Sequence, residues 1–346
     1  MGAVAAEPQR CLIVGPSWVG DMIMAQSLFK LLRARFPELV MDVLAPGWTA
    51  PLLARMPEVR QAIPQPVGHG RLGLSERYRL GRRLRAEAYD WAVILPSSLK
   101  SALVPWFAGI PRRTGFLGEY RYGLLNDRRR LDKRALPRTI QRFAALGLPP
   151  GASAAFESLP FPALHVDRDI AIETAARLGL DASRPVLALC PGAEYGPAKR
   201  WPPEYFAAVA RHYRTQGWQS WVFGSERDKA MAEVVCRDAG PDCVNLAGRT
   251  TLTEAVDLMA LTRAVVSNDS GLMHLAAALE RPLVAVYGSS DPDFTPPLAM
   301  PGRARIERLG LECSPCFKRE CPLGHLECLR GLHPERVVRA LDALVV

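Results

Sequence analysis

A chain of 346 residues, 49% of them hydrophobic, holds enough apolar material for one large core or for two domains. Its 44 Lys and Arg against 35 Asp and Glu leave a net +9, which favours anionic partners such as nucleotides, phospholipid surfaces or nucleic acid. No run approaches the roughly 18 apolar residues of a membrane span. The opening Met1-Gly-Ala-Val-Ala-Ala6 lacks the apolar core and cleavage pattern of a secretion signal, and Ala6 stands where lipidation of Gly2 needs Ser or Thr. A soluble intracellular protein is expected.

Residues 11–15 read as a buried strand and 21–36 as a helix stopped by Pro37. A strand over 41–45 and a helix over 49–55 follow. After a looser stretch come a basic helix over 75–88 and a buried strand over 91–95. The stretches 149–153 and 159–162, rich in proline and poor in pattern, read as linkers. The rhythm then restarts with a strand over 186–190, a helix over 203–215 and a strand over 220–224. It continues with a helix over 226–239, a strand over 243–246, a helix over 253–261 and a strand over 264–267. A helix over 271–279, a strand over 283–287 and a closing helix over 334–344 complete it. Short apolar strands alternating with amphipathic helices predict an α/β protein of two Rossmann-like domains, 1–160 and 161–332, with parallel sheets facing a central cleft. Residues 333–346 are expected to pack back across the junction. Ligands of such sheets sit beyond the carboxyl ends of the strands.

Four strand ends carry unusual residues. Gly15-Pro-Ser-Trp-Val-Gly-Asp21 has the glycine separation of a P-loop, but Asp21 and Met22 stand where Lys and Ser or Thr are required, so ATP-hydrolysis chemistry is excluded. What remains is a loop that presents a carboxylate, either as a general base or as a helix cap. Pro191-Gly-Ala-Glu-Tyr-Gly-Pro-Ala-Lys199-Arg200 places two cations before a helix, where lysine suits phosphate oxygens and a solvated surface is the plainer alternative. Glu226 ends a strand, as an acceptor for a ribose diol or as a capping acid. Asn268-Asp-Ser-Gly-Leu-Met-His274 turns straight from strand to helix, aiming backbone N–H groups and a helix dipole at an anion. Ser270 adds a hydroxyl, Gly271 permits close approach, and His274 adds a ring donor. Asp269 would repel phosphate and suits a sugar hydroxyl. Asn, Asp and Ser here are equally the ordinary residues of a capped helix start.

Together these segments, with Leu95-Pro-Ser-Ser-Leu-Lys100, Phe107-Ala-Gly-Ile-Pro111, Arg121-Tyr-Gly-Leu-Leu-Asn-Asp127 and Ser290-Asp-Pro-Asp-Phe-Thr295, resemble the bacterial lipopolysaccharide core ADP-heptose heptosyltransferases. The likeness extends from the first strand to about residue 300, and the loop from Pro191 to Glu194 points to the heptosyltransferase II branch. The resemblance implies a GT-B fold with an N-terminal acceptor-binding and a C-terminal ADP-heptose-binding domain. It implies inverting transfer of L-glycero-D-manno-heptose from ADP-heptose to the first heptose of heptosyl-Kdo2-lipid A. It also implies residue roles: Asp21 as catalytic base, Lys199 near the donor diphosphate and sugar, and Glu226 on the ribose. Asp269 would take heptose hydroxyls, and Ser270, Gly271 and His274 the diphosphate. Arg200 matches less well than Lys199, which keeps the family's spacing from Trp201.

No Asp-x-Asp stands at a strand end; Asp291-Pro-Asp293 lies in a proline-rich loop, so metal-independent transfer is expected. Between Arg112 and Arg142, ten basic residues face three acidic ones, a net +7. Arg112, Arg113, Arg128, Arg129 and Arg130 are the candidates there for an anionic lipid surface on the inner face of the cytoplasmic membrane, with a merely solvated face as the alternative. No nucleic-acid signature accompanies them. Cys313, Cys316, Cys321 and Cys328 begin like a metal site, with His325 as a further donor, so a structural zinc or iron–sulfur site and packed reduced thiols both stand open. Rival readings of the whole chain are a nucleotide-sugar epimerase and a basic lipid-head-group or nucleic-acid binding protein whose carboxylates merely cap helices.

Overall fold

The computed structural model describes residues 7–68, 70–152 and 154–345. The opening hexapeptide, on which the signal and lipidation readings rested, lies outside the described residues, as does Ser153 of the first linker. The chain divides into two compact units, Met1–Pro162 and Ala163–Val346, so the boundary falls at the end of the second proline-rich linker.

In the first unit, strands β1 (Arg10–Val14), β2 (Val40–Ala45), β3 (Gln61–Pro64), β4 (Trp91–Ile94), β5 (Arg112–Phe116) and β6 (Asp127–Arg129) form one sheet, ordered β3-β2-β1-β4-β5-β6. Every pairing is parallel. Its helices are α1 (Val19–Arg35), α2 (Ala50–Leu53), α3 (Leu74–Leu84), α4 (Leu103–Phe107) and α5 (Thr139–Gly147). The second unit repeats the plan with β7 (Val186–Cys190), β8 (Gln219–Val222), β9 (Cys243–Asn245), β10 (Ala264–Asn268), β11 (Leu283–Val286) and β12 (Ala304–Glu307), ordered β12-β11-β10-β7-β8-β9 and again parallel throughout. Helices α6 (Arg168–Arg177), α7 (Pro203–Arg214), α8 (Lys229–Ala239), α9 (Leu252–Ala260), α10 (Gly271–Ala278), α11 (Glu327–Arg330) and α12 (Pro334–Val345) accompany them.

The central strands are apolar almost without interruption because both faces are covered: Cys11, Leu12 and Ile13 in β1 and Leu187, Ala188 and Leu189 in β7 are fully buried. In each unit the first strand lies beside the fourth, so the winding reverses there. That reversal point, at the carboxyl ends of β1 and β4 and of β7 and β10, is where such sheets bind ligands. Closing helix α12 lies against α7, β11 and β12 within the second unit. Among the described residues no helix is long and apolar enough to cross a membrane.

Several boundaries differ from the sequence reading for physical reasons. Helix α1 begins at Val19, two residues before the predicted start, because Trp18 takes the N-cap backbone conformation with no side-chain cap bond. The helix expected over 49–55 is a single turn, and the one expected over 75–88 ends at Leu84 in a 3₁₀ turn. The looser stretch conceals β3, and the arginine-rich segment contains β5 and β6.

Candidate active site

The second unit's reversal point is built from the loops after β7 and β10. Asn268, fully buried at the end of β10, donates from Nδ2 to the Pro191 carbonyl at 2.7 Å and accepts the Trp201 N–H at 3.1 Å. It thereby clamps both ends of the loop from 191 to 201. Arg200 turns back into that loop, donating to the Ala193 carbonyl at 3.2–3.3 Å. Lys199, at the end of the 3₁₀ turn Pro197–Lys199, points to the β10 corner instead. Its Nζ stands 2.5 Å from Asp269 Oδ2 and 5.0 Å from the Tyr195 ring centre. The same Asp269 oxygen accepts the Ser290 hydroxyl. The structure thus pairs two residues that the resemblance assigns to the donor, Lys199 near its diphosphate and sugar and Asp269 on its heptose hydroxyls. Asp269 keeps 5% of its side chain exposed and Lys199 17%.

Ser270 occupies the N-cap of α10 but makes no capping hydrogen bond. The plain reading of this turn as a capped helix start therefore lacks the bond that defines it. The N–H groups of the first turn remain without a side-chain cap at the positive end of the helix, the arrangement that takes an oxyanion. His274, one turn along, is 5% exposed, and its Nδ1 has no hydrogen-bond partner among the described residues. Burial brings its pKa down to about 4; Asp269 pulls upward and Lys199 pushes downward. At neutral pH the ring is uncharged and offers a hydrogen bond rather than a charge.

This depressed value carries a stability consequence. Between pH 6.5 and 4 the unfolded chain binds a proton at His274 that the folded chain excludes, so stability falls as pH drops through that window. The loss should reach about 3 kcal/mol. Thermal melts from pH 7 to 4.5 should show wild type losing ground to His274→Asn as pH falls. A constant difference would contradict it.

Glu226 opens a 3₁₀ turn after β8 with its carboxylate exposed. It is not the capping acid: Ser225 and Asp228 form that box between themselves, Asp228 Oδ2 accepting the Ser225 N–H and hydroxyl at 2.9 and 2.8 Å. Gly248, at φ +73°, leaves the room Glu226 occupies, since a Cβ there would collide with its Oε2.

In the first unit, Asp21 is the third residue of α1, partly buried in its first turn. The alternative of Asp21 as N-cap fails because Trp18 holds that place. Two tryptophans that the sequence reading passed over flank this corner, Trp18 at 46% and Trp48 at 49% exposure. Trp48 Nε1 donates to the Ser17 carbonyl at 2.8 Å, tying together the loops after β1 and β2. Their signal in the sequence is large aromatics set in Gly-Pro turns where no strand or helix period calls for them. The loop after β4 is held by buried Arg121, which donates to the Pro96 carbonyl and the Ser101 hydroxyl at 2.8 and 3.0 Å and also to the Phe116 carbonyl. Burial lowers its pKa to about 10.

The basic segment divides into two kinds of residue. Arg112 and Arg129 pair with Asp127 at 3.0 and 2.7 Å. Burial pushes the Asp127 carboxyl up, but hydrogen bonds from Arg129, Thr114 and Arg112 bring it down to about 2. Arg113 donates to the Leu124 and Ile110 carbonyls, and Arg138 stacks on Phe156 at 4.0 Å. Arg128, Arg130, Lys133 and Arg134 are exposed. Of the five arginines nominated for a lipid surface, only the side chains of Arg128 and Arg130 make no hydrogen bond or ion pair among the described residues.

Cys313, Cys316, Cys321 and Cys328, with His325 and Ala198, line one cavity of about 20 Å³. All four are unbonded thiols. Backbone N–H groups of Leu326, Leu323, Gly324 and His325 hold the Cys321 thiol below its ordinary value, while burial and then the other three sulfurs push Cys328 up. Among the described residues no three His, Cys, Asp or Glu side chains are arranged as a metal-holding group. The loop braces the Lys199 turn: Ala198 N–H donates to the Arg319 carbonyl at 3.0 Å, and Tyr195 Oη to that of Phe317 at 2.7 Å.

Comparison with known proteins shows the family. The lipopolysaccharide heptosyltransferase 2 of Escherichia coli K12 is 48% identical over 345 residues, covering 97% of this chain and 99% of that protein. The lipooligosaccharide heptosyltransferase 2 of Haemophilus influenzae is 46% identical over 346 residues, 96% of this chain and 99% of that one. A solved structure of the E. coli ADP-heptose lipopolysaccharide heptosyltransferase II superposes with a TM-score of 0.87 at 46% identity, covering 97% and 98% of the two chains. A family model described as glycosyltransferase family 9 (heptosyltransferase) matches residues 77–327, which include Lys199, Glu226 and Asp269. The chain belongs to glycosyltransferase family 9, the heptosyltransferases, and is a glycosyltransferase.

Proposed function

We propose that this chain transfers L-glycero-D-manno-heptose from ADP-heptose to the first heptose of heptosyl-Kdo2-lipid A, with inversion at the anomeric carbon. The observation that carries the reading is the second unit's corner. There an uncapped helix start, a lysine held against a buried carboxylate and a neutral histidine with an unpartnered nitrogen meet at one sheet reversal. A diphosphate gives the helix start and the histidine a partner and competes with Asp269 for Lys199. Lys199 and the N–H groups at the start of α10 take the charge that grows on the departing ADP. Asp269, relieved of Lys199, turns to sugar hydroxyls, and Glu226 accepts from the ribose diol. In the first unit Asp21 takes the proton of the attacking heptose hydroxyl as the new bond forms. A lipid-linked acceptor implies work at the inner face of the cytoplasmic membrane, with the protein peripheral to it.

Incubation with ADP-heptose alone and with heptosyl-Kdo2-lipid A tests this against its rivals. Heptose appearing on the acceptor is expected. Conversion of the donor without acceptor, or neither product, would contradict this choice of donor and acceptor.

In this reading the leaving group is neutralised by protein charge, not by a divalent ion. Of the two Asp-x-Asp pairs, Asp291 and Asp293 are turned to Arg308 at 3.8 and 4.0 Å, and Asp167 and Asp169 sit at the start of α6, where Asp167 caps the helix. Transfer is therefore expected to survive excess chelator unchanged. Loss of turnover restored by a divalent ion would contradict this. A structural zinc or iron at the cysteine loop is read separately in the same experiment, as bound metal in elemental analysis and a lower Tm after chelation.

A further inference from the structure

Helices α3 and α4 carry an outward surface that neither corner uses. Helix α3 buries Arg77, Leu80, Gly81 and Leu84 against the unit. Gly81 has no room for a side chain because the Phe107 Cβ lies where one would go, so α3 and α4 meet flush. The outward side then gathers aromatic and aliphatic groups. Tyr78 and Trp106 sit edge-on or tilted against Phe107 at 5.2 and 5.0 Å. Leu74 lines the same open groove as Tyr78 and Phe107. Leu72, Leu74, Tyr78 and Trp106 are 53%, 52%, 47% and 45% exposed.

Arginines border this patch: Arg71 lines the same groove, Arg82 stands one turn along α3 from Tyr78, Arg85 donates to the Phe107 carbonyl, and Arg79 and Arg83 are exposed farther round the helix. The acids nearby do not balance it. Glu87 is engaged by Arg10 and Arg60 at 2.6 and 3.0 Å, which leaves Glu76 alone on the outer side of α3. Amphipathic rings beside aliphatic side chains, bordered by arginine, match a bilayer interface. The apolar groups enter the head-group boundary while the guanidinium groups stay with lipid phosphates. A protein partner would have to supply matching acids, and a nucleic acid would have no use for Leu72 and Leu74.

We propose that the α3–α4 surface seats the first unit on an anionic lipid bilayer, separately from the basic stretch between Arg112 and Arg142. This deepens the lipid-acceptor reading and rests on it for its setting, but its test is independent of transfer. Flotation with vesicles of phosphatidylcholine and phosphatidylglycerol at 3:1, and with phosphatidylcholine alone, reads the binding at physiological salt. Wild type is expected to float with the anionic vesicles and not with the neutral ones. Arg82→Ser with Arg83→Ser should weaken binding about 25-fold, roughly fivefold per arginine. Tyr78→Ser with Trp106→Ser should weaken it at least about tenfold. Arg128→Ser with Arg130→Ser should leave it within about twofold.

Each double variant is checked by thermal melt and by transfer to a water-soluble, deacylated acceptor, where wild-type kcat is expected. The proposal is overturned if the α3–α4 variants float like wild type, or if binding is lost with Arg128 and Arg130 instead. It is also overturned if kcat on the deacylated acceptor falls together with flotation. Should wild type transfer no heptose at all, the function reading fails while the flotation result still decides this one.

Discussion

Asp21→Asn is expected to slow heptosyl transfer by roughly 10²–10⁴-fold, the usual contribution of a positioned general base, with no change in fold. The substitution keeps the size and polarity of the side chain in the first turn of α1 and removes its capacity to accept a proton. The loss should appear in kcat at saturating donor and acceptor. Asp21→Glu, which restores a carboxylate at the wrong reach, should recover part of the rate. Turnover near wild type in Asp21→Asn, with an unchanged melt, would remove the base from the mechanism.

Lys199→Met is expected to cost roughly 10²–10³-fold in turnover, comparable to deleting a donor aimed at developing charge. It should also destabilise the fold, because it strands the carboxylate of Asp269, which is 5% exposed and retains only the Ser290 hydroxyl among its described side-chain partners. Stranding a buried charge costs about 3–5 kcal/mol at the upper end. Asp269→Asn should cost less, since the Lys199 side chain is 17% exposed and its amine can reach water. Combining Lys199→Met with Asp269→Asn removes both charges, so stability should partly return while turnover does not. Denaturant melts and kcat on the four proteins read this cycle. If activity returned together with stability, Lys199 would serve only to hold the corner.

Much of this was legible in the sequence where one physical requirement left one residue pattern. The buried strands β1, β4, β7, β10 and β11 read as apolar runs because parallel central strands have no wet face. The strand-to-helix turn at Asn268 to His274 was legible because strand, glycine and helix follow without a gap. The Lys199–Asp269 pair was not legible, since it joins residues 70 positions apart through a 3₁₀ turn that no periodicity announces. Strands β5 and β6 were hidden by their arginines: Arg112 and Arg129 share Asp127 across the edge of the sheet, so charge masks the strand pattern. Glu226 looked interchangeable with a capping acid until Asp228 was seen to fill that role. The arginines of α3 were visible as a basic helix, but its aromatic neighbours come from α4, and only the fold brings Tyr78 to Phe107.

The most direct test of the division of labour between the two corners is the dissociation constant of ADP-heptose, measured by calorimetry on wild type, Asp21→Asn and Lys199→Met. Donor binding in Asp21→Asn is expected to match wild type, while Lys199→Met weakens it by at least about tenfold, one charge-assisted contact. Equal weakening by both substitutions, or donor affinity indifferent to Lys199, would contradict the account.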